Sequence, residues 1–160
     1  MAARNITACF TGHRVLSRKE LKLIDKRLFP VLEELYDEGF RHFIAGGAIG
    51  FDTIAAEAVL KLKEKKEGVT LHIAIPCPEQ PNLWREKEQK KYFEILEKAD
   101  SSEIVSDHYF DGCMQLRNRY MVDRSSALIA FFRGSSGGTG STCKYASKKL
   151  PIVINIAEYD

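Results

Sequence analysis

Short apolar runs alternate along this chain with amphipathic stretches of helix length, and no feature narrows its fold more. Buried-strand patterns fall at "NITACF" (5–10), "RHFIA" (41–45), "TLHIAI" (70–75), "ALIAFF" (127–132) and "PIVINI" (151–156), with "SEIVS" (102–106) as a minor strand. Between them Ser17 and Glu20 have capping-box spacing. They open a helix that carries Leu21, Ile24, Leu28, Leu32 and Leu35 on one face, with Pro30 as a kink and Gly39 as its stop. Further helices are predicted over 52–68, 85–99 and 112–126, and a short one over 143–149. Strands separated by helices must pair in parallel through right-handed crossovers, which cover both sheet faces. The expected fold is therefore a Rossmann-like three-layer α/β/α sandwich with a mainly parallel sheet, built as a single nucleotide-binding domain over 1–160. A chain of 160 residues suffices for such a core without disulfides or a structural metal.

In a parallel sheet the loops at the carboxyl ends of the strands form the ligand crevice. Here those loops are glycine-rich. "TGHR" follows the first strand with Thr11, Gly12, His13 and Arg14, and "GGAIG" follows the second with Gly46, Gly47 and Gly50. "RGSSGGTGST" follows the fourth main run, with Arg133, Gly137, Gly138, Thr139, Gly140, Ser141 and Thr142. Glycine lets backbone approach a ligand, and the helix that starts after each loop offers free N–H groups, a combination that suits phosphate. The glycines do not spell the G-x-G-x-x-G fingerprint, and sterics alone can place glycine in a strand-to-helix turn. Convergence of three such loops with His13, Arg14 and Arg133 points to an anionic, nucleotide-like ligand.

The segments "FTGHR", "GGAIGFDTIAAEA" and "RNRYMVDRSSALIAFF" with "SGGTGST" resemble the SLOG superfamily, the YpsA-like branch in particular, related to DprA and to the LOG phosphoribohydrolases. The resemblance covers essentially the whole chain. It implies a nucleotide or ADP-ribose-like ligand, held by the same glycine loops, with the protein acting as a sensor. Two alternatives stay open: a LOG-like nucleotide-processing hydrolase, and a DprA-like module for single-stranded nucleic acid. The catalytic branch carries P-G-G-x-G-T-x-x-E; here Ser136 replaces the proline, Ser141 the threonine and Lys144 the glutamate. A lysine cannot supply the carboxylate that N-glycosidic cleavage uses.

The remaining carboxylate candidates are Asp52, Glu57 and Asp123. Asp52 either caps its helix or contacts ligand, Glu57 faces either solvent or the crevice mouth, and Asp123 either caps a turn or binds a ribose hydroxyl. Arg117 and Asn118 are candidate ligand groups; Arg119 points to another helix face, so only one of the two arginines reaches the site. Trp84 either stacks a base or packs against the sheet. The four cysteines show no metal or disulfide spacing, Cys77 is read as inert, and no spacing links His42, His72 and His108 as metal ligands. No metal is signalled. A net charge of +2 gives poor support for a polyanion groove, so nucleic acid is the lesser partner. No run has the length of a signal peptide core or membrane span, which predicts a cytoplasmic protein, with a homodimer as the default assembly.

Overall fold

The computed structural model describes residues 3–134 and 137–158; Ser136, at the proline position of the catalytic motif, lies outside them. After a 3-10 turn at Arg4–Ile6 come β1 (Thr7–Gly12), α1 (Arg18–Asp37), β2 (His42–Ala45), α2 (Phe51–Lys65), β3 (Thr70–Ile75) and α3 (Glu86–Lys98). They are followed by β4 (Ser101–Ile104), α4 (Cys113–Asp123), β5 (Ala127–Phe131), α5 (Gly138–Ser147) and β6 (Ile152–Asn155). The strands form one sheet in the order β4-β3-β2-β1-β5-β6, and every pairing is parallel. The expected Rossmann-like sandwich is what the chain forms.

Strand alternation assigns the two faces. Ala8, Phe10, Phe43, Leu71, Ile73 and Ile129 pack in one cluster with Ile24, Leu28 and Leu32 of α1, Ala55, Val59 and Leu62 of α2, and Ile95 of α3. The intervening Cys9, Ile44, Ala74, Leu128 and Ala130 meet Met121 and Val122 of α4 and Ala146 of α5 on the other face. Strand order reverses between β1 and β5, because β2, β3 and β4 extend the sheet on one side before the chain crosses back. Such a reversal leaves a crevice at the carboxyl ends of the two strands.

Local chemistry sets the boundaries. Ser17 Oγ accepts from the Glu20 amide at 3.1 Å and Glu20 accepts from the Ser17 amide at 2.9 Å, so the capping box forms as the spacing predicts. α1 continues through Pro30, which lies on its exposed side. β4 is an exposed edge strand, two residues shorter at its far end than predicted. The larger correction is α5, which begins at Gly138 rather than at 143. The Ser141 amide donates to the Gly137 carbonyl at 3.0 Å and the Thr142 hydroxyl to the Gly138 carbonyl at 2.8 Å, so the glycine segment winds into a first turn. The last glycine loop therefore contracts to the residues before that turn.

His42 and His72 share a chain of hydrogen bonds with Thr70, at 2.6 and 3.0 Å, and His72 also bonds Ser101. Burial, first, holds both imidazoles below their ordinary value. Because the folded pKa lies below the unfolded one, the unfolded chain binds more protons on acidification; stability is present above about pH 6.5 and is lost below it. Thermal unfolding followed between pH 7.5 and 5.5 should show this loss, and His72→Gln should flatten the slope. An equal slope in that variant would place the effect elsewhere.

Candidate functional site

The glycines of the second loop are covered by the protein itself. A Cβ on Gly46 would lie 2.6 Å from Arg117 Nη1 and 2.7 Å from Asp52 Oδ2. One on Gly47 would meet Ile73 and Tyr92 at 3.1 Å. Gly50 combines a φ of +83° with a Cβ position 2.4 Å from the Arg14 carbonyl oxygen, and the neighbouring Phe51 amide donates to the His13 carbonyl at 3.1 Å. Gly12 in turn accommodates the Phe51 ring. These glycines bring the first two loops, α2 and α4 together, so their role is close packing and not a free cradle.

Arg117 organises the floor of the site. Only 3% exposed, it donates through Nη1 to the carbonyls of Gly46 and Ala74, the latter at 3.2 Å, and to Gln80 Oε1 at 3.5 Å. Its Nε donates to Asn118 Oδ1 at 2.9 Å. Gln80, 7% exposed, donates back to the Gly46 carbonyl at 3.4 Å. Asp52 is equally buried and accepts from the Ala48 amide at 3.3 Å. Burial pushes its carboxyl up, while the Arg117 guanidinium, the Ala48 amide and Arg14 oppose the rise. Burial likewise lowers Arg117, with Asp52 opposing. Arg119, as its helical position predicts, points elsewhere and lies 5.0 Å from the Tyr145 ring centre.

Above this floor opens a crevice of about 340 Å³ at the β1–β5 reversal. Thr11, Gly12, His13 and Arg14 supply one wall, Met114, Gln115 and Asn118 of α4 another, and Gly138 and Thr139 of α5 a third, with Ala48 and Asp52 beneath. Among the described residues the α5 N-terminus has no side-chain cap, and its first turn carries no acidic residue. Among the described residues a Cβ at Gly137 or Gly138 would meet nothing within 4 Å. Across the crevice, the Arg14 guanidinium touches Met114 Sδ at 3.8 Å, and among the described residues it has no carboxylate within 4 Å. Arg133 differs: Glu20 holds it at 2.7 Å and Val15 accepts from it at 2.7 Å. Its amide donates to His13 Nε2 at 3.2 Å, and burial, then the Arg133 charge, keep the His13 imidazole below its ordinary pKa.

The family model YpsA, described as the YspA SLOG family, matches residues 11–151, which include every wall of the crevice. This chain belongs to the YspA SLOG family. A UPF0398 protein of Halalkalibacterium halodurans is 34% identical over 135 residues, 83% of this chain and 71% of that protein. The uncharacterized SPbeta prophage-derived protein YoqJ of Bacillus subtilis is 35% identical over 142 residues, 80% of this chain and 82% of YoqJ. Among solved structures, DNA processing protein A of Helicobacter pylori, described for its single-stranded DNA binding mode, superimposes with a TM-score of 0.64 at 21% identity. DprA of Streptococcus pneumoniae gives 0.64 at 19%. This SLOG chain is covered to 94% and 98% by the two but spans only 65% and 52% of their lengths, and the likeness is one of fold.

Not every predicted residue reaches the SLOG crevice. Glu57 is paired with Lys91 at 2.9 Å, between α2 and α3. Asp123 holds the Tyr145 hydroxyl at 2.7 Å and Lys149 at 2.9 Å at the opposite end of α4. Gly140, Ser141 and Thr142 belong to the first turns of α5, and Thr142 is bonded back to Gly138. Lys144 is exposed farther along that helix. Trp84 packs edge-on against Tyr92 with ring centres 5.3 Å apart. Cys77 is buried. Gln80, Met114, Gln115 and Ala48 are the residues that sequence reasoning missed; the one available signal was Gln80's place in a loop at the carboxyl edge of β3. Among the described residues no cluster of His, Cys, Asp and Glu could hold a metal, and no helix is long and apolar enough to cross a membrane.

Proposed function

We propose that this SLOG protein binds a nucleotide or nucleotide derivative, with a phosphate on the α5 N-terminus facing Arg14. The supporting observation is that helix start, uncapped among the described residues and open to a crevice whose opposite wall carries a guanidinium with no carboxylate within 4 Å among those residues. Free N–H groups and the helix dipole favour an anion there, and Arg14 adds a charge-assisted donor. Asn118 spends its carbonyl on Arg117, which leaves its amide N–H groups for a ribose or base edge.

The arrangement suits binding more than glycosidic cleavage. Glu57 and Asp123 are engaged elsewhere, Lys144 is not among the crevice residues, and Asp52, the carboxylate that does line the crevice, is buried, accepts from the Ala48 amide and lies in the field of the Arg117 charge. A group that stabilises positive charge on ribose must be free to approach it. A second reading, a single-stranded DNA module, is favoured by the likeness to DprA.

A thermal-shift panel of AMP, NAD, ADP-ribose, adenosine and a short oligothymidylate tests both. Phosphate-bearing nucleotides at a hundred times their Kd should add about 2.7 kcal/mol, and adenosine should add nothing comparable. No shift with any nucleotide overturns the proposal. Tight oligothymidylate binding that weakens steeply with salt, without a nucleotide shift, would make the DNA reading the better one.

A further inference from the structure

Toward the amino edge of the sheet lies a second cavity, of about 270 Å³, which shares no lining residue with the crevice. It opens on the α4 face, between the end of that helix and the exposed edge strand β4, while α3 packs on the opposite face through Ile95. Ile44 of β2 and Ala74 of β3 give it an apolar floor. Tyr120 and Arg124 stand on the α4 side, and Glu103 stands on β4.

Two opposite charges border this cavity without pairing. The Arg124 guanidinium lies 3.5 Å over the Tyr120 ring centre, and the hydroxyl of the same ring donates to the Glu103 carboxylate. Among the described residues neither charge has an opposite charge within 4 Å. Arg124 donates through Nη1 to the Tyr120 carbonyl at 3.2 Å, but its Nε is buried with no acceptor among the described residues, a costly state for a donor. Nε and Nη2 form the edge with which Arg133 holds Glu20 in this protein, at 2.7 and 3.1 Å, and such an edge takes a carboxylate in two parallel bonds. Glu103, which accepts from a neutral hydroxyl, keeps further acceptor positions for an ammonium. The other titratable groups of the wall, His72 and Tyr120, are neutral at neutral pH, because burial, first, lowers the imidazole and raises the phenol.

Glu103 would repel a simple anion from this cavity, and Arg124 would repel a simple cation. A small zwitterion with an apolar chain satisfies both charges and covers the floor. Pockets for drug-sized ligands begin at roughly 300 Å³, so the occupant is smaller than those. We propose that the cavity binds a free aliphatic α-amino acid, with its carboxylate on Arg124, its ammonium on Glu103 and its side chain over Ile44 and Ala74. The site lies apart from the crevice and does not depend on what the crevice holds.

Titration of the whole chain at neutral pH, followed by backbone amide chemical shifts, tests this with L-valine, L-leucine and two analogues of leucine that each lack one charge, isocaproate and isoamylamine. L-leucine or L-valine should move the amides of β4 and of the last turn of α4 and leave those of Thr11 to Arg14 in place. L-leucine should bind about tenfold or more tighter than either analogue, since each lacks one charge-assisted contact. Glu103→Gln should erase its advantage over isocaproate, and Arg124→Gln its advantage over isoamylamine. Glu103 is on an exposed edge strand, so its variant keeps the fold and decides the matter even if Arg124→Gln is less stable. Shifts at β4 and α4 with neither amino acid, an affinity matched by an analogue, or leucine binding unchanged in Glu103→Gln each overturn the proposal.

Discussion

Arg117→Ala should cost about 3–5 kcal/mol of stability, since several buried acceptors each lose a donor at about 1–3 kcal/mol apiece and buried Asp52 loses an opposing charge. For a chain of this size that is a fall in Tm of roughly 6–20 °C. The guanidinium satisfies the carbonyls of Gly46 and Ala74 and the side chains of Gln80 and Asn118, and it is the principal positive charge facing buried Asp52. Truncation strands these acceptors and leaves the carboxylate uncompensated; leaving such groups unpaired costs more than making the bonds gains. Arg117→Lys should recover only part, since an ammonium cannot donate at once toward Asn118 and toward Gly46. Pairing Arg117→Met with Asp52→Asn should recover more than either single change, because the buried charge is then absent on both sides. Denaturant unfolding of the five variants decides. A loss below about 0.5 kcal/mol for Arg117→Ala, typical of an exposed site, would show that the network does not hold the floor together.

This result also bears on how the "RNR" segment is read. A loss of nucleic-acid binding in an Arg117 variant would report a damaged floor, so Arg14, exposed and with no carboxylate within 4 Å among the described residues, is the cleaner probe of any anion contact.

Periodicity made the sheet and the capping box legible, and topology placed Thr11 to Arg14, Asp52, Asn118, Gly138 and Thr139 around one crevice. What remained hidden was tertiary. Gly46 and Gly138 look alike in sequence, yet one lies under a guanidinium and the other has none of the described residues over it. A glycine's role depends on what the fold sets opposite it, which spacing does not encode. Two misplacements were readable in principle. Glu57 is five residues from Asp52 on one helix, about 140° around its axis, so the two could not share a crevice wall. Asp123 ends a helix that returns from the carboxyl to the amino edge of the sheet, which carries it away from the loops. The start of α5 was missed because glycine-rich segments have poor helix propensity, and here the Thr142 hydroxyl and the Ser141 amide close the first turn regardless.

Gly138→Asp should abolish the nucleotide-induced shift and leave the unliganded protein at least as stable as before. Gly138 is the first residue of α5, its φ is not positive, and an added Cβ meets none of the described residues within 4 Å. A carboxylate there interacts favourably with the helix dipole, by about 0.3–1 kcal/mol, and replacing glycine restricts the unfolded chain by a similar amount. The same carboxylate occupies the charge position that a phosphate would take and repels it, so the roughly 2.7 kcal/mol gained at a hundred times Kd should vanish. Gly138→Asn adds nearly the same volume without the charge and should keep part of the shift, which separates repulsion from steric exclusion. Gly46→Ala provides the contrast: its Cβ would collide with Arg117 and Asp52, so it should lower the melting temperature with no ligand present. A full nucleotide shift in Gly138→Asp would mean that the phosphate rests elsewhere, and Arg14 would then have to hold it without the helix.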